Sequence, residues 1–215
     1  MPLICLVRHG QASADAEDYD ALSDLGRAQA AAVGQELVRR GLRDPYLVSG
    51  TLNRQRDTAR LLAETAGYTR PVHEDARWNE YDHEALLDRY AKPAQGAASL
   101  QELIDQALAA WMADATMADN GSWADFEATA TAAFAELTAS LQRGRDAVVV
   151  TSAGPLSALC GALLSLPPAG VVSLHRVAVN ASVTTLAVGG AGASLLTFNE
   201  HAHFTGDRSQ LRTYR

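Results

Sequence analysis

Cysteine is scarce in this sequence of 215 residues, which contains only Cys5 and Cys160. Both lie in apolar runs, and neither has a partner at a spacing typical of a zinc site. We therefore expect two reduced cysteines in the core of a protein from a reducing compartment. The apolar run before Arg8 is too short for an export signal, so we expect a cytoplasmic protein.

Basic residues are also in short supply. The sequence has 18 Lys and Arg against 25 Asp and Glu, which gives a formal net charge of -7. A nucleic-acid backbone or an anionic membrane is held mainly by clustered basic side chains, so neither is an expected partner. The balance still allows one small basic pocket.

Charged residues are missing altogether from two long stretches, residues 147–174 and 177–199. Prolines interrupt the first stretch, and Asn, Thr and Gly residues interrupt the second, which disfavours membrane-spanning helices. We therefore expect both stretches to form buried sheet core. With 47% hydrophobic residues overall, the chain can bury a sizeable core.

The order of apolar runs and helical patterns predicts an α/β fold. Strand-like runs occupy residues 3–7, 46–48, 147–151, 183–188 and 194–198. Helix starts are indicated at Ser23, near Thr51, at Ser99 and at Ser122, the last two with capping-box patterns. This alternation predicts a three-layer α/β/α sandwich with a mostly parallel sheet. The final two runs, joined by a glycine-rich turn, predict an antiparallel hairpin at its edge.

No linker or repeat divides the chain, and we expect a single domain over residues 1–215. The segment from about residue 79 to residue 121 has mixed polar and aromatic content. We expect that segment to be an insertion over the active site.

Polar residues follow three of the predicted strands. Arg8 and His9 end the first strand, Arg54 lies in the first turn of the helix after the second, and Ser152 follows the strand from residue 147. The carboxyl ends of parallel strands share one edge of a sheet, where helix N-termini also converge. A histidine and two arginines at that edge favour a phosphoryl group as the ligand.

These residues lie in motifs that resemble a known family. The segments LVRHG, LSDLGRAQA and SGTLNRQRDTA, in this order, resemble the histidine phosphatase superfamily, also called the phosphoglycerate mutase-like family. The resemblance implies an α/β/α sandwich, a phosphohistidine intermediate and no required metal or cofactor. It implies that His9 is the nucleophile and that Arg8 and Arg54 hold the phosphoryl oxygens. Glu80 resembles the family's proton donor, with Asp82 and Glu84 as rivals.

The sequence departs from the family pattern where a second histidine is usual, because Ser152 stands at that position. A serine brings no positive charge, although the backbone amides from Ala153 onward still offer an anion site. Gln11, Ser13, Ser152, Ala153 and His203 are the expected substrate contacts, and either His201 or His203 is a candidate source of the missing charge.

A metal site is disfavoured. The pair His201 and His203 and the pair Glu80 and His83 have suggestive spacings, but no further ligands fall at recognisable positions. Alternation along an extended strand would put His201 and His203 on one side of it.

The sequence therefore predicts a phosphomonoester hydrolase acting on a small phosphorylated metabolite. Three alternatives stay open: a noncatalytic phosphoester-binding protein, a phosphoglycerate mutase-type phosphotransferase and, more remotely, a serine hydrolase. The last would use Ser152 as nucleophile with Glu200 and His201 downstream, although Val150 does not fit a nucleophile elbow. Oligomeric state is also open, with a homodimer as one option.

Overall fold

The computed structural model describes residues 1–13, 20–91, 99–114, 116, 121–141, 144–190 and 192–214. A six-stranded sheet consists of β1 (Leu3–Arg8), β2 (Tyr46–Ser49), β3 (Val72–Glu74), β4 (Ala147–Thr151), β5 (Val183–Gly189) and β6 (Gly192–Glu200). The strand order is β3-β2-β4-β1-β5-β6. The first four strands in this order are parallel, and β5 and β6 are antiparallel to their neighbours. This confirms the mostly parallel sheet with an antiparallel edge hairpin.

Helices cover both faces of this sheet. They are α1 (Asp24–Arg39), α2 (Asn53–Ala66), α3 (His83–Tyr90), α4 (Leu100–Ala113), α5 (Trp123–Ser140), α6 (Ala153–Leu164) and α7 (Pro168–Val177). The side chains of Ser23, Ser99 and Ser122 accept hydrogen bonds at the starts of α1, α4 and α5, as their sequence patterns predict.

Alternation along the strands divides the core into layers. Cys5 and Val7 of β1 pack against α1 and α2, whereas Ile4 and Leu6 pack against α5 and α6. Strand β4 alternates in the same way, and all five of its residues are buried. A third apolar cluster joins α3, α4, α5 and α7 beside the sheet. The three-layer α/β/α arrangement is therefore confirmed, and both cysteines are buried in it as expected.

Two expectations about the C-terminal half were wrong. Only β4 of the uncharged stretch 147–174 is sheet; α6 and most of α7 occupy the rest, because Pro155 and Pro168 lie in first helical turns, where proline is tolerated. His201 and His203 follow β6, where His201 precedes a short 3₁₀ turn, Ala202–Phe204, and His203 lies within it, so strand alternation does not apply to them.

A close backbone contact joins the end of β1 to the start of α1. A Cβ atom on Gly10 would lie 2.4 Å from the Gly26 carbonyl oxygen, and one on Gly26 would lie 2.2 Å from the Gln11 carbonyl oxygen. Only glycine fits at both positions. The glycines of the RHG and LSDLG motifs therefore set how closely α1 approaches the residues after His9.

This contact predicts the effect of Gly26→Ala. Alanine favours a helix over glycine by about 1 kcal/mol, but the clash with backbone should exceed that gain and lower the free energy of unfolding by about 1–3 kcal/mol. Gly190→Ala is the control, because an added Cβ there meets nothing within 4 Å. Urea denaturation that gives the two variants equal stability would contradict the close contact.

Candidate active site

Three parallel strands bring their carboxyl ends to one edge of the sheet. The His9 amide donates to the Thr151 carbonyl at 2.8 Å, and the Gly50 amide donates to the Val150 carbonyl at 3.1 Å. The residues after β1, β2 and β4 are therefore tied together by backbone bonds. The predicted common edge is confirmed.

The orientation of His9 is fixed by its own neighbour. Its Nδ1 lies 2.7 Å from the Gly10 carbonyl oxygen, and because a carbonyl only accepts, Nδ1 must carry the proton. Nε2 is left with its lone pair. The residue is only 7% exposed. Burial and the charges of Arg8 and Arg54 lower the pKa of this imidazole well below its usual value, which keeps it neutral.

Arg54 lies beside that lone pair. Its Nε donates to His9 Nε2 at 3.2 Å, and its Nη1 forms an ion pair with Asp20 at 2.6 Å. Thr58, one helical turn later, donates its hydroxyl to the Arg54 carbonyl and accepts from the Gly10 amide. The start of α2 is thereby fixed against the loop that follows His9.

Arg8 is the last residue of β1, directly before His9. Its Nη1 donates to the Ala178 carbonyl, just after α7, and to the Tyr214 carbonyl at 2.9 Å. Burial has the largest effect on the pKa values of His9 and Glu80, and the positive charge of Arg8 acts to lower both. The structure therefore brings both predicted guanidinium groups into the electrostatic environment of His9.

Glu80 lies at the N-terminus of α6. Its carboxylate accepts from the Gly154 amide at 3.1 Å and from the Tyr81 amide at 3.2 Å. Burial raises the pKa of this carboxyl, while the Gly154 amide and the charges of Arg54 and Arg8 act in the opposite direction. Its rivals have other surroundings: Asp82 accepts from the Ala85 amide as the cap of α3, and Glu84 is exposed in that helix.

Ser152 is fully buried, with 0% of its surface exposed. Its hydroxyl accepts from Gln55 Nε2 at 2.9 Å, and the same amide nitrogen donates to the Trp78 carbonyl at 3.0 Å. Ala153 begins α6 directly after it. A Cβ on Gly50 would lie 1.9 Å from Gln55 Oε1, which explains the glycine at that position.

Gln11 and Ser13 are engaged in the loop that precedes α1. The Gln11 side chain accepts from the Ser23 hydroxyl at 3.0 Å, and the Ser13 amide donates to the Ala21 carbonyl at 2.8 Å. These bonds shape the loop next to His9. Contact of Gln11 and Ser13 with a substrate stays a prediction.

His203 lies outside this group of residues. Its Nε2 faces the Ala181 carbonyl at 3.0 Å, and it lines a surface cleft with residues of α1. Burial lowers its pKa to about 4, so it would bring no positive charge at neutral pH. Glu200 pairs with Arg40, and His201 Nδ1 faces the Asn199 carbonyl. The described contacts thus give no support to a Ser152, Glu200 and His201 triad.

Sequence reasoning missed several residues of the site. Gln55, Asp20, Tyr81 and His175 lie in or beside it. Gln55 lies between Arg54 and Arg56 in the sequence, and the arginines were the more obvious candidates. His175 had no informative sequence neighbours. Within the described part of the chain, no group of three or more His, Cys, Asp or Glu side chains is arranged to hold a metal ion, and no helix has the length and apolarity needed to cross a membrane.

The sequence profile of the histidine phosphatase superfamily (branch 1) matches residues 4–201. The chain belongs to this superfamily. The match covers Arg8, His9 and Ser152 and the helix that carries Arg54. No curated protein has a matching sequence.

Several solved structures are similar to this chain over nearly its whole length. A mycobacterial hydrolase is 33% identical, covers 94% of this chain and 99% of its own, and has a TM-score of 0.66. A mycobacterial glucosyl-3-phosphoglycerate phosphatase in complex with inorganic phosphate is 32% identical, covers 95% of this chain and 100% of its own, and has a TM-score of 0.67. Entamoeba histolytica phosphoserine phosphatase, in complex with 3-phosphoglyceric acid, shares the fold at 18% identity, with 95% of this chain and 100% of its own covered and a TM-score of 0.67.

The packing around Ser152 predicts the outcome of restoring a histidine there. Ser152→His should overpack the site, displace Gln55 and lower the free energy of unfolding by about 1–3 kcal/mol, with no gain in phosphatase activity. Ser152→Ala should cost only about 1 kcal/mol, since Gln55 keeps the Trp78 carbonyl as a partner. A Ser152→His variant with wild-type stability and faster turnover would contradict this account of the packing.

The buried neutral histidines predict a pH dependence of stability. Burial lowers the pKa of His175 to about 3, and His9 and His203 are shifted in the same direction. Between pH 7 and pH 5 the unfolded chain therefore binds protons that the folded chain does not, and stability falls as the pH falls. Each histidine should contribute at most about 1.4 kcal/mol per pH unit.

Urea denaturation of the wild type and His203→Gln at several pH values measures this dependence. The slope of stability against pH should be shallower in the variant, because one proton-binding group is removed from the unfolded chain. Equal slopes would show that His203 is protonated alike in the folded and unfolded states.

Proposed function

We propose that this protein is a phosphomonoesterase that works through a phosphohistidine intermediate on His9. The observation that carries the proposal is the His9 ring itself, with Nδ1 held by the Gly10 carbonyl and Nε2 beside the Arg54 guanidinium. A neutral imidazole of fixed orientation, whose unprotonated Nε2 accepts a hydrogen bond from Arg54 and carries the lone pair, is the form required of a nitrogen nucleophile. The substrate class we propose is a small phosphorylated metabolite.

The first chemical step transfers the phosphoryl group to His9. Nε2 forms a bond to phosphorus as the bond from phosphorus to the ester oxygen breaks. Arg8 and Arg54 stabilise the negative charge on the phosphoryl oxygens. Burial raises the pKa of Glu80, which favours the protonated form that gives its proton to the leaving alcohol in this step.

The second step returns the enzyme to its starting state. Glu80, now a carboxylate, takes a proton from a water molecule, whose oxygen attacks the phosphorus bound to His9. The bond from phosphorus to Nε2 breaks, inorganic phosphate leaves and the imidazole is neutral again. The Gly154 amide at the start of α6 donates to the carboxylate, which favours its anionic form in this step.

A noncatalytic phosphoester-binding protein is the second candidate, favoured by one observation. Ser152 occupies the usual place of a histidine, and its hydroxyl is already bonded to Gln55. Such a protein would keep the guanidinium groups for binding and lack turnover. It differs from the phosphatase in a single measurable property, the release of inorganic phosphate.

Steady-state hydrolysis of 4-nitrophenyl phosphate, with a chelator present, tests the proposal. His9→Ala should lose activity by roughly 10³-fold or more, and Arg54→Lys by on the order of 10²- to 10³-fold, because an ammonium group cannot reproduce the two-pronged grip of a guanidinium. Arg56→Lys is the matched control. Arg56 lies on the same helix, pairs with Glu74 and has a side chain that is 47% exposed, so its loss should matter little.

Each other outcome has a definite meaning. Phosphate binding by the wild type without release of nitrophenol would favour the noncatalytic protein. Transfer of the phosphoryl group to an added alcohol or phosphorylated acceptor in preference to water would favour the phosphotransferase. Equal effects of Arg54→Lys and Arg56→Lys would remove Arg54 from the site.

A further inference from the structure

A tyrosine and a histidine form a hydrogen-bonded pair beside the proposed acid. The Tyr81 hydroxyl lies 3.1 Å from His175 Nε2, and the two ring centroids are 6.0 Å apart. Tyr81 directly follows Glu80, whereas His175 lies in the last turn of α7. The pair therefore joins the Glu80 segment to a helix that is distant in sequence.

Packing stability does not account for this histidine. Its Nδ1 is buried and, among the described residues, has no hydrogen-bond partner. Leaving such an atom unsatisfied typically costs about 1–3 kcal/mol. An apolar ring would avoid the cost, so the presence of an imidazole requires another explanation.

Tyr81 lies next to the Glu80 carboxylate and to Gly154, whose amide binds that carboxylate. The Tyr81 amide donates to Glu80 Oε1 at 3.2 Å. A Cβ added to Gly154 would lie 1.9 Å from Glu80 Oε1 and 2.9 Å from Tyr81 Cδ1. The carboxylate and the tyrosine ring thus occupy adjoining space over the first turn of α6.

His175 itself is carried by an anchored helix. The neighbouring Arg176 forms an ion pair with Asp105 of α4 at 2.7 Å. Just beyond the helix, the Ala178 carbonyl accepts from Arg8. The end of α7 is therefore fixed both to α4 and to the arginine of the site, and it can serve as a rigid support for Tyr81.

The pair is also electrically neutral. Burial lowers the pKa of His175 to about 3, with a further contribution from the charge of Arg8. Burial raises the pKa of Tyr81 well above its ordinary value. At neutral pH the imidazole therefore offers a hydrogen bond without adding a charge that would compete with Arg8 for an anion.

Resting on the phosphatase function proposed above, we propose that His175 is a positioning residue for the acid: by bonding the Tyr81 hydroxyl, it holds the Glu80 carboxyl where it can protonate the leaving oxygen. His175 itself takes no part in the proton transfer. Its removal should therefore impair those substrates whose leaving group needs a proton, and spare those whose leaving group does not.

Two phosphate esters separate these cases. The leaving group of 4-nitrophenyl phosphate is stable as an anion, whereas an alkyl phosphate such as glycerol 2-phosphate requires proton donation. The ratio kcat/KM reports the steps up to phosphoryl transfer and excludes the later hydrolysis of the intermediate. In His175→Phe, kcat/KM should fall on the order of 10- to 100-fold for the alkyl ester and less than about 3-fold for the aryl ester.

Companion variants separate positioning from simple packing. Tyr81→Phe keeps the ring, removes only the hydroxyl and should reproduce the selective loss. The double variant should be no worse than either single variant, because both remove the same bond. His175→Gln, which can place an amide near the Nε2 position, should recover most of the alkyl-ester activity. His73→Phe is the matched control, since exposed His73 stacks on Tyr46 and should leave both rates unchanged.

The outcomes separate this inference from the function on which it rests. A selective loss in His175→Phe and Tyr81→Phe, with recovery in His175→Gln, supports the positioning role. Equal losses for the two esters in Tyr81→Phe, or no loss in either variant, overturn it while leaving the phosphatase intact. A wild-type protein that hydrolyses neither these esters nor other phosphomonoesters overturns the proposed function and the positioning role together.

Discussion

The hydrogen bond between the His9 imidazole and the Gly10 carbonyl is the constraint on which the site depends. It fixes the tautomer and turns Nε2 toward Arg54. Hydrogen bonds also hold the backbone of His9, whose amide donates to the Thr151 carbonyl and whose carbonyl accepts from Asn180 and Ala181. The tight contact of Gly10 with Gly26 adds a steric limit. The fold thus supplies the orientation that the chemistry requires.

The positions of Arg8, Arg54, His9 and Glu80 also determine the electrostatics of the site. Two guanidinium groups next to a buried imidazole favour its neutral form, and burial next to an apolar helix start favours the protonated form of Glu80. A neutral imidazole and a carboxyl group with a raised pKa therefore lie near two cations. This combination is suited to an anionic substrate, although the chain as a whole carries a formal net charge of -7.

Much of this arrangement could be predicted from the sequence, because its signals are local. Strand-length apolar runs, capping serines and the glycine-rich hairpin determine β1, β5, β6, α1, α4 and α5, and the RHG motif directs attention to His9. The placement of α7 could not be predicted, since an uncharged stretch interrupted by proline fits buried strand and helix equally well. The contact of His175 with Tyr81 depends on that helix and is therefore tertiary.

His203 was expected to lie in the site, and the structure places it elsewhere. Its position after the last strand, near the C-terminus, was compatible with a reach into the site, and a missing positive charge gave a reason to expect one. The structure turns its ring toward Ala181 and α1. Gln55 lies next to Ser152 and donates a hydrogen bond to its hydroxyl. No short-range sequence pattern predicts that a glutamine between two arginines points inward.

Rapid-quench labelling tests the central claim, that His9 Nε2 is the nucleophile, most directly. The enzyme is mixed with a ³²P-labelled phosphomonoester and stopped within milliseconds, and the protein-bound label is mapped after proteolysis. We predict a label that is stable to alkali, labile to acid, located on the peptide containing His9 and missing from His9→Ala. Turnover without any bound label, or a label that persists in His9→Ala, would contradict the account.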